Sequence, residues 1–242
     1  DEAVVGGSLA PAVRQITEIA ADTLNVERVA VWCVTPDGKG ISCVDAYDRP
    51  QRLHATGATV STEGSTYFER IVSDRAVVSS DAQNDPRLAE FLERHLRPLG
   101  VTARLEAPVR MAGAFAGTVC IEQIGSRRNW LDDEIIFAGE LADQVAQALL
   151  NAGRHVALES LRASEARYRS MLEAMDDLVY IVSSDGRVQY MNPAMVRRSG
   201  RDATGEPCHL AIHGLEERCT WCAENASGSG DGRRREITSP RD

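Results

Sequence analysis

The segment ARLEAPVRMAGAFAGTVCIEQ, residues 103–123, is the clearest indication of the fold. It contains two strand-like runs, residues 103–111 and 115–123, joined at Ala112-Gly113-Ala114. A short Gly-containing connection between two such runs is typical of a β-hairpin. The sequence therefore predicts an antiparallel sheet, and the neighbouring segments are interpreted around it.

The segments upstream complete a mixed α+β domain. An amphipathic pattern predicts a helix over residues 10–24, and the turn signal Pro36-Asp37-Gly38 predicts a second hairpin. The strands of that hairpin are residues 28–34 and 41–47. Further elements are a helix at 65–73, a strand at 76–79 and a helix that Asp85 caps and that stops near Gly100. An antiparallel sheet with helices on one face satisfies this order.

A long helix is predicted downstream, from Asp132 to about Met175. Its C-terminal part carries a heptad seam with 3-4 spacing: Leu158, Leu161, Glu165, Tyr168, Leu172 and Met175. A different apolar stripe runs upstream, so we expect a change of face near Gly153. We expect the upstream part to pack on its own domain and the downstream part to form a homodimer. Packing on its own chain throughout is the alternative.

The β pattern returns in the C-terminal segment. Strands are predicted at 178–182 and 188–191 and a short helix after Asn192-Pro193, followed by a mobile Gly/Ser/Arg-rich loop at 226–235 and a last strand from 236.

Residues 27–150 resemble the GAF domains of bacterial sensor proteins. The resemblance is carried by Val29-Ala30-Val31-Trp32, Tyr47-Asp48, residues 81–87, residues 106–110, Gly117-Thr118-Val119-Cys120 and Arg128-Asn129-Trp130. It implies a small-molecule pocket between the sheet and the elements that cover it. Candidate lining residues are Trp32, Tyr67, Phe68, Asp81, Phe91 and Cys120. Ordinary core or loop roles are the alternative for each, and no cysteine stands where bilin-binding relatives attach their chromophore.

The C-terminal part resembles a PAS domain through Arg167-Tyr168-Arg169, residues 176–180, Asp185-Gly186-Arg187 and residues 190–194. The resemblances imply three parts: a GAF-like domain (1–150), a connecting signalling helix (151–175) and a PAS-like domain (176–242). We expect the PAS-like domain to be incomplete at its C-terminal end. Such modules precede output domains, so we expect the input region of a two-component sensor histidine kinase. A diguanylate cyclase is the alternative parent.

Composition argues against two classes of partner. The formal net charge of the 242 residues is -9, and the one dense basic run, Arg233-Arg234-Arg235, is interpreted as a solvated loop flank. Nucleic-acid binding needs clustered cations, so it is not expected. No apolar run is long enough to span a bilayer. We expect a cytoplasmic protein, and the sequence leaves open a membrane anchor upstream.

One cysteine cluster could carry chemistry. Cys208, Cys219 and Cys222 lie close in sequence, with His209 and His213 between them. A Cys-x-x-Cys pair with a third Cys and His213 could hold zinc in a tetrahedral site. An iron–sulfur cluster or a redox-switched disulfide are alternatives, as are reduced, unligated thiols. The cluster therefore predicts a metal or redox sensor as a second hypothesis.

No catalytic residue is predicted. His54, His95 and His155 are scattered, and none lies beside a recognisable nucleophile. The acidic run Asp132-Asp133-Glu134 lies in the first turn of a predicted helix, where carboxylates interact favourably with the helix macrodipole. A free-standing enzyme on a GAF-like scaffold, as in methionine-sulfoxide reductases, ranks last because Cys33, Cys43 and Cys120 lie in strands that predict burial.

Overall fold

The computed structural model describes residues 2–219, with side chains from residue 9 onward. The chain divides into two compact units, Asp1–Glu159 and Ser160–Asp242, and each is described by itself. The division falls within the long helix α4, Asp132–Ala174. The predicted connecting segment, residues 151–175, therefore contributes to both units.

The first unit is built on a seven-stranded antiparallel sheet. Its strands are β1 (Arg28–Val34), β2 (Gly40–Asp48), β3 (Leu53–Ala55), β4 (Thr59–Ser61), β5 (Val77–Ser79), β6 (Val101–Met111) and β7 (Ala114–Ile124). They follow the order β3-β2-β1-β7-β6-β5, and β4 pairs with another part of β2. The predicted hairpins are confirmed as β1–β2 and β6–β7. The short strands β3 and β4 were not predicted.

One face of this sheet packs against helices. The helix α1 (Glu2–Leu24) and the part of α4 up to Ala152 cover it. Alternate strand residues point to this face because side chains in a strand alternate. Its fully buried members include Val29, Val31, Leu105, Val119 and Ile121. Each such aliphatic side chain contributes roughly 1.5–3 kcal/mol by leaving water.

The other face lies under a second layer. This layer consists of α2 (Thr66–Ile71) and a cover segment, residues 86–99. The side chain of Asp85 caps the cover segment by accepting the N–H of Arg87, as predicted. The segment ends at Gly100, whose φ of 68° is a left-handed conformation that glycine adopts without strain.

The cover segment corrects the prediction of one regular helix. It comprises a 3-10 helix (Pro86–Phe91), a π-helical turn (Leu92–Leu96) and the short α3 (Arg97–Leu99). The Arg97 N–H bonds to the carbonyl of Leu92, five residues back. Pro98 has no N–H, and a proline ring crowds the carbonyl one turn earlier in an α-helix. A wider turn immediately before Pro98 relieves that crowding.

The second unit contains a small α+β arrangement. Its elements after α4 are β8 (Tyr180–Val182), β9 (Val188–Met191), α5 (Pro193–Ser199) and α6 (Cys208–Ala211). Asn192 is fully buried; its side chain caps α5 and donates to the carbonyl of Leu172 in α4. The predicted loop at 226–235 and strand from 236 lie outside the described residues.

The surface of α4 changes along its length. The buried residues of α4 belong to the first unit, and the last of them is Ala152. This residue lies next to the position where the sequence predicts a change of face. Beyond it, Leu158, Leu161, Tyr168 and Met175 are exposed. Within residues 2–219, no helix is both long and apolar enough to cross a membrane.

Candidate functional site

A cavity of about 440 Å³ lies in the first unit between the sheet and its cover. On the sheet side, the small residues Ala30 and Cys120 leave the space, because larger side chains there would fill it. Trp32, Phe68 and Phe91 supply aromatic walls. Its size falls in the range of small-molecule sites in proteins, roughly 300–1,000 Å³.

Three clefts of larger volume in this unit, of about 700, 570 and 450 Å³, are more open grooves on its surface. In the largest one, His54 already lies 2.9 Å from Asp45 and 3.0 Å from Glu18. Its imidazole and these carboxylates therefore have partners within the chain. The cavity between the sheet and its cover is less open than these grooves and is the stronger candidate for a ligand site.

Three aromatic rings join α2 to the cover segment beside the cavity. The Tyr67 ring meets Phe68 at 5.5 Å and Phe91 at 4.9 Å, both edge to face. This geometry aligns the positive edge of one ring with the negative face of the next. The rings thus hold two covering elements in one arrangement above the sheet.

A charged floor, defined here as Arg104, Glu106 and Glu122, lies beneath the cavity. Arg104 on β6 and Glu122 on β7 are direct cross-strand partners. Arg104 Nη2 lies 2.6 Å from Glu106 Oε2, and Nη1 lies 4.0 Å from Glu122 Oε1. All three side chains are buried. Such charges are tolerated in an interior only when they are paired.

Glu122 is held ionised by three neighbouring side chains. His95 Nε2 on the cover segment lies 2.6 Å from its Oε1, and Arg28 Nε lies 3.7 Å from its Oε2. Burial alone would raise the pKa of this carboxyl, but His95, Arg104 and Arg28 outweigh burial and bring it to about 2. The contact with His95 also ties the cover segment to the sheet.

Glu106 is the acceptor of a second buried network. The Tyr67 hydroxyl donates to Glu106 Oε2, and Thr118 Oγ1 donates to Oε1 at 2.9 Å. Burial, and next the charge of Glu106, raise the pKa of Tyr67 well above its usual value. The phenol therefore keeps its proton and remains a donor.

The cysteines of this unit are poor nucleophiles. Burial raises the pKa of Cys33 to about 12 and of Cys43 to about 11. The Cys120 thiol, on the cavity wall, also has a pKa well above the usual value because it is buried. Since the thiolate is the reactive form, none of the three thiols is activated at neutral pH.

The structure brings most of the sequence-derived pocket residues together. Trp32, Phe68, Phe91 and Cys120 line the cavity. Tyr67 lies behind the aromatic wall and holds Glu106. Asp81 does not line the cavity; it pairs with Arg127 at 2.5 Å and with Asn84.

Sequence reasoning missed the charged floor and His95. The register of the predicted hairpin could have indicated part of the charged floor, because it places Arg104 opposite Glu122. An oppositely charged cross-strand pair is a recognisable pattern once that register is known.

The cysteine cluster is only partly described. Cys208 and Cys219 are buried, and burial lowers the pKa of His213, whose Nε2 lies 3.2 Å from the Tyr180 hydroxyl. Cys222 lies outside the described residues. Within residues 2–219, no group of three or more His, Cys, Asp or Glu side chains suits a metal ion. Zinc or iron–sulfur binding is not supported, and a redox role stays a prediction.

An antiparallel sheet with helices on one face and a covered cavity on the other defines an α+β domain built around a pocket. Residues 8–149 match the family model described as GAF domain, and the chain belongs to that family. Residues 166–230 match the model described as PAS domain, so a PAS domain follows the GAF domain.

One curated relative and two solved structures illustrate the similarity. A Synechocystis sp. (strain ATCC 27184 / PCC 6803 / Kazusa) protein, named as a methyl-accepting chemotaxis protein, is 30% identical over 167 residues. The match covers 66% of this chain and 16% of that protein, so the chain spans only a small part of the relative.

The structural matches show the fold alone. The Thermosynechococcus elongatus PixJ GAF domain, in its blue-light absorbing form, has a TM-score of 0.52 at 19% identity, covering 64% of this chain and 91% of that chain. A fragment of a methyl-accepting chemotaxis protein has a TM-score of 0.50 at 18% identity, covering 60% and 90%.

Proposed function

We propose that this chain is the sensory input region of a bacterial signal-transduction protein, in which a small molecule binds in the cavity between the sheet and its cover and alters the packing of α4. The GAF and PAS domains, with a relative named as a chemotaxis protein, support a signal-transduction input region. The cavity of about 440 Å³ above a buried charged floor is the observation that carries the ligand-binding role. A histidine kinase is the parent we propose, and a diguanylate cyclase or a chemotaxis receptor is the alternative.

A contiguous set of contacts leads from the cavity to α4. Glu122, in the floor, is followed on β7 by Gln123, whose Oε1 accepts from Arg128 Nη1 at 3.0 Å. Arg128 Nη2 also bonds to the Leu24 carbonyl at the end of α1 at 2.7 Å and pairs with Glu134 in the first turn of α4. A ligand that shifts β7 would act, through Arg128, on the C-terminal end of α1 and on the first turn of α4.

The exposed face of α4 suits a second copy of the chain. Leu161 and Tyr168 are 65% and 66% exposed, and with Leu158 and Leu172 they continue the 3-4 spacing of a coiled coil. In our proposal the same face of a second copy covers them. The homodimer then carries the signal along paired helices to an output domain outside these residues.

Binding to the cavity is tested with N-phenyl-1-naphthylamine, a neutral aromatic probe whose fluorescence rises in apolar sites. The purified chain is expected to bind it. Ala58→Trp should weaken binding at least tenfold because Ala58 lies on the cavity wall, where a larger side chain takes up space. Ala58 is also exposed, so the substitution leaves the buried core unchanged. Leu131→Trp is the matched control, since Leu131 is exposed and does not line the cavity. Equal binding by both variants, or no binding by any, would contradict the proposal.

A further inference from the structure

We infer that the open groove beside the C-terminal half of α1 binds a phosphate group through Arg49, Arg52 and His54. This α1 groove, of about 700 Å³, is lined by Glu18 and Asp22 of α1, Tyr47 of β2, Arg49 and Arg52 of the turn after β2, and His54 of β3. It shares no lining residue with the cavity between the sheet and its cover, so the inference does not depend on the proposed function.

Two arginines of the α1 groove have no anionic partner in the described part of the chain. Among residues 9–219, neither a carboxylate nor a carbonyl pairs with the guanidinium of Arg49 or Arg52. The Nε of Arg49 is buried there without a hydrogen-bond acceptor. A buried donor without an acceptor costs free energy, and an anion bound against it would recover that cost.

His54 supplies a third donor to the α1 groove. Its Nδ1 lies 2.9 Å from Asp45, and its ring packs against that of Tyr47 with 4.7 Å between the centres. Its Nε2 lies 3.0 Å from Glu18. Because an ionised carboxylate only accepts hydrogen bonds, both ring nitrogens donate, as in the imidazolium form.

Glu18 occupies the position at His54 that we assign to the phosphate. Its side chain is 51% exposed, whereas Asp45 is fully buried and also accepts from Thr17 Oγ1 at 2.6 Å. An exposed ion pair contributes little stability, so Glu18 can turn toward solvent when another anion binds at Nε2. Asp45 remains in place and keeps the imidazole oriented.

The donors of the α1 groove favour phosphate over a carboxylate. A phosphate monoester offers three acceptor oxygens and nearly two negative charges, which suits two guanidinium groups and an imidazolium. A carboxylate has two oxygens and one charge, and the exposed Asp22 in the same groove opposes any anion. The volume of the groove also leaves room for a small molecule that carries the phosphate.

Isothermal titration calorimetry with inorganic phosphate, at constant ionic strength, tests the inference on the purified chain. Phosphate is expected to bind saturably, and Arg49→Gln should weaken binding about tenfold because a charge-assisted contact is lost. Arg97→Gln is the matched control, since it removes the same charge from an exposed residue of the cover segment. It should leave binding unchanged. Circular dichroism checks that each variant is folded.

Glu18→Gln gives a result that loss of folding cannot imitate. It removes the carboxylate that competes for His54 Nε2, so phosphate should bind about threefold tighter. Glu93→Gln makes the same change of charge at an exposed residue outside the α1 groove and should have no effect. Glycerol 3-phosphate separates the two sources of the group. Tighter binding than inorganic phosphate supports a phosphate ester as the ligand, and equal or weaker binding supports free phosphate.

Three results would overturn the inference: no saturable binding of either phosphate compound, equal weakening by Arg49→Gln and Arg97→Gln, or equal responses to Glu18→Gln and Glu93→Gln. Acetate that binds as tightly as phosphate would overturn the assignment of a phosphate group. None of these outcomes affects the proposed function, because binding of N-phenyl-1-naphthylamine and its loss in Ala58→Trp are measured at a different site.

Discussion

Glu122 is the residue on which the cavity floor depends most. It is 1% exposed and its carboxylate faces Arg104, Arg28 and His95. Loss of the Glu122 charge would leave its buried partners without a counter-charge. Removing one member of such a pair typically costs several kcal/mol, more than the pair adds over an apolar replacement.

We expect Glu122→Gln to lower the free energy of unfolding by roughly 3 kcal/mol at neutral pH. The folded pKa of about 2 lies below that of an unfolded carboxyl, so the stabilisation is complete above the unfolded pKa and is lost as pH falls toward 2. The difference between wild type and variant should therefore shrink as the pH is lowered. Urea unfolding followed by tryptophan fluorescence at several pH values measures it.

The matched control for this prediction is Glu93→Gln. Glu93 is exposed and pairs with the exposed Arg97 on the cover segment. An exposed pair contributes little, so we expect a change of under about 1 kcal/mol. A Glu122→Gln effect as small as the control, or one that does not vary with pH, would show that the floor is not held by ionised Glu122.

At this scale the sequence predicted the apolar wall better than the charged floor. Trp32, Phe68 and Phe91 were named from the family resemblance, and all line the cavity. Arg104 and Glu106 alternate with apolar residues along β6, a pattern typical of a strand with one solvated face. The covering layer buries that face, and a local pattern cannot reveal a cover formed by distant residues.

Among the elements, β1 and β7 pair so closely at Gly117 that no room is left there for a side chain. An added Cβ at Gly117 would lie 2.1 Å from the Trp32 carbonyl oxygen, a backbone atom that cannot move aside cheaply. In contrast, a Cβ at Gly139 in α4 would meet nothing within 4 Å. An alanine at Gly117 therefore tests the strand pairing and should destabilise the fold. An alanine at Gly139 tests the helix and should stabilise it.

We expect Gly117→Ala to lower the free energy of unfolding by about 2–4 kcal/mol, because the strands must separate locally. Gly139→Ala should raise it by about 0.5–1 kcal/mol, since alanine loses less entropy on joining a helix. Thermal unfolding by circular dichroism compares them. Gly117→Ala with wild-type stability would mean that the β1–β7 register is wrong.

The long elements were predictable because their patterns are long. The strands β6 and β7 and the helix α4 lie within a few residues of the predicted bounds. The strands β3 and β4 have three residues each and owe their existence to pairing with β2, not to local preference. The 3-10 and π turns of the cover segment likewise depend on Pro98 and on the packing beneath.

For the whole molecule, the dimer proposal predicts a difference between two equally exposed leucines. Leu161 and Leu131 are both 65% exposed, but only Leu161 lies on the heptad seam. Leu161→Glu should weaken self-association at least tenfold, because it places a charge in the seam. Leu131→Glu should leave it unchanged. Sedimentation velocity over a concentration series measures both, and a wild-type chain that stays monomeric would contradict the proposal.

We propose that ligand binding in the cavity changes the dynamics of α4. Hydrogen–deuterium exchange of the purified chain, with and without N-phenyl-1-naphthylamine, tests it most directly, with Ala58→Trp as the control. We predict slower exchange in the cover segment and, in the same sample, altered exchange in α4 beyond Gly153, with neither change in Ala58→Trp. Protection confined to the cover segment, or identical changes in Ala58→Trp, would contradict coupling between the cavity and α4.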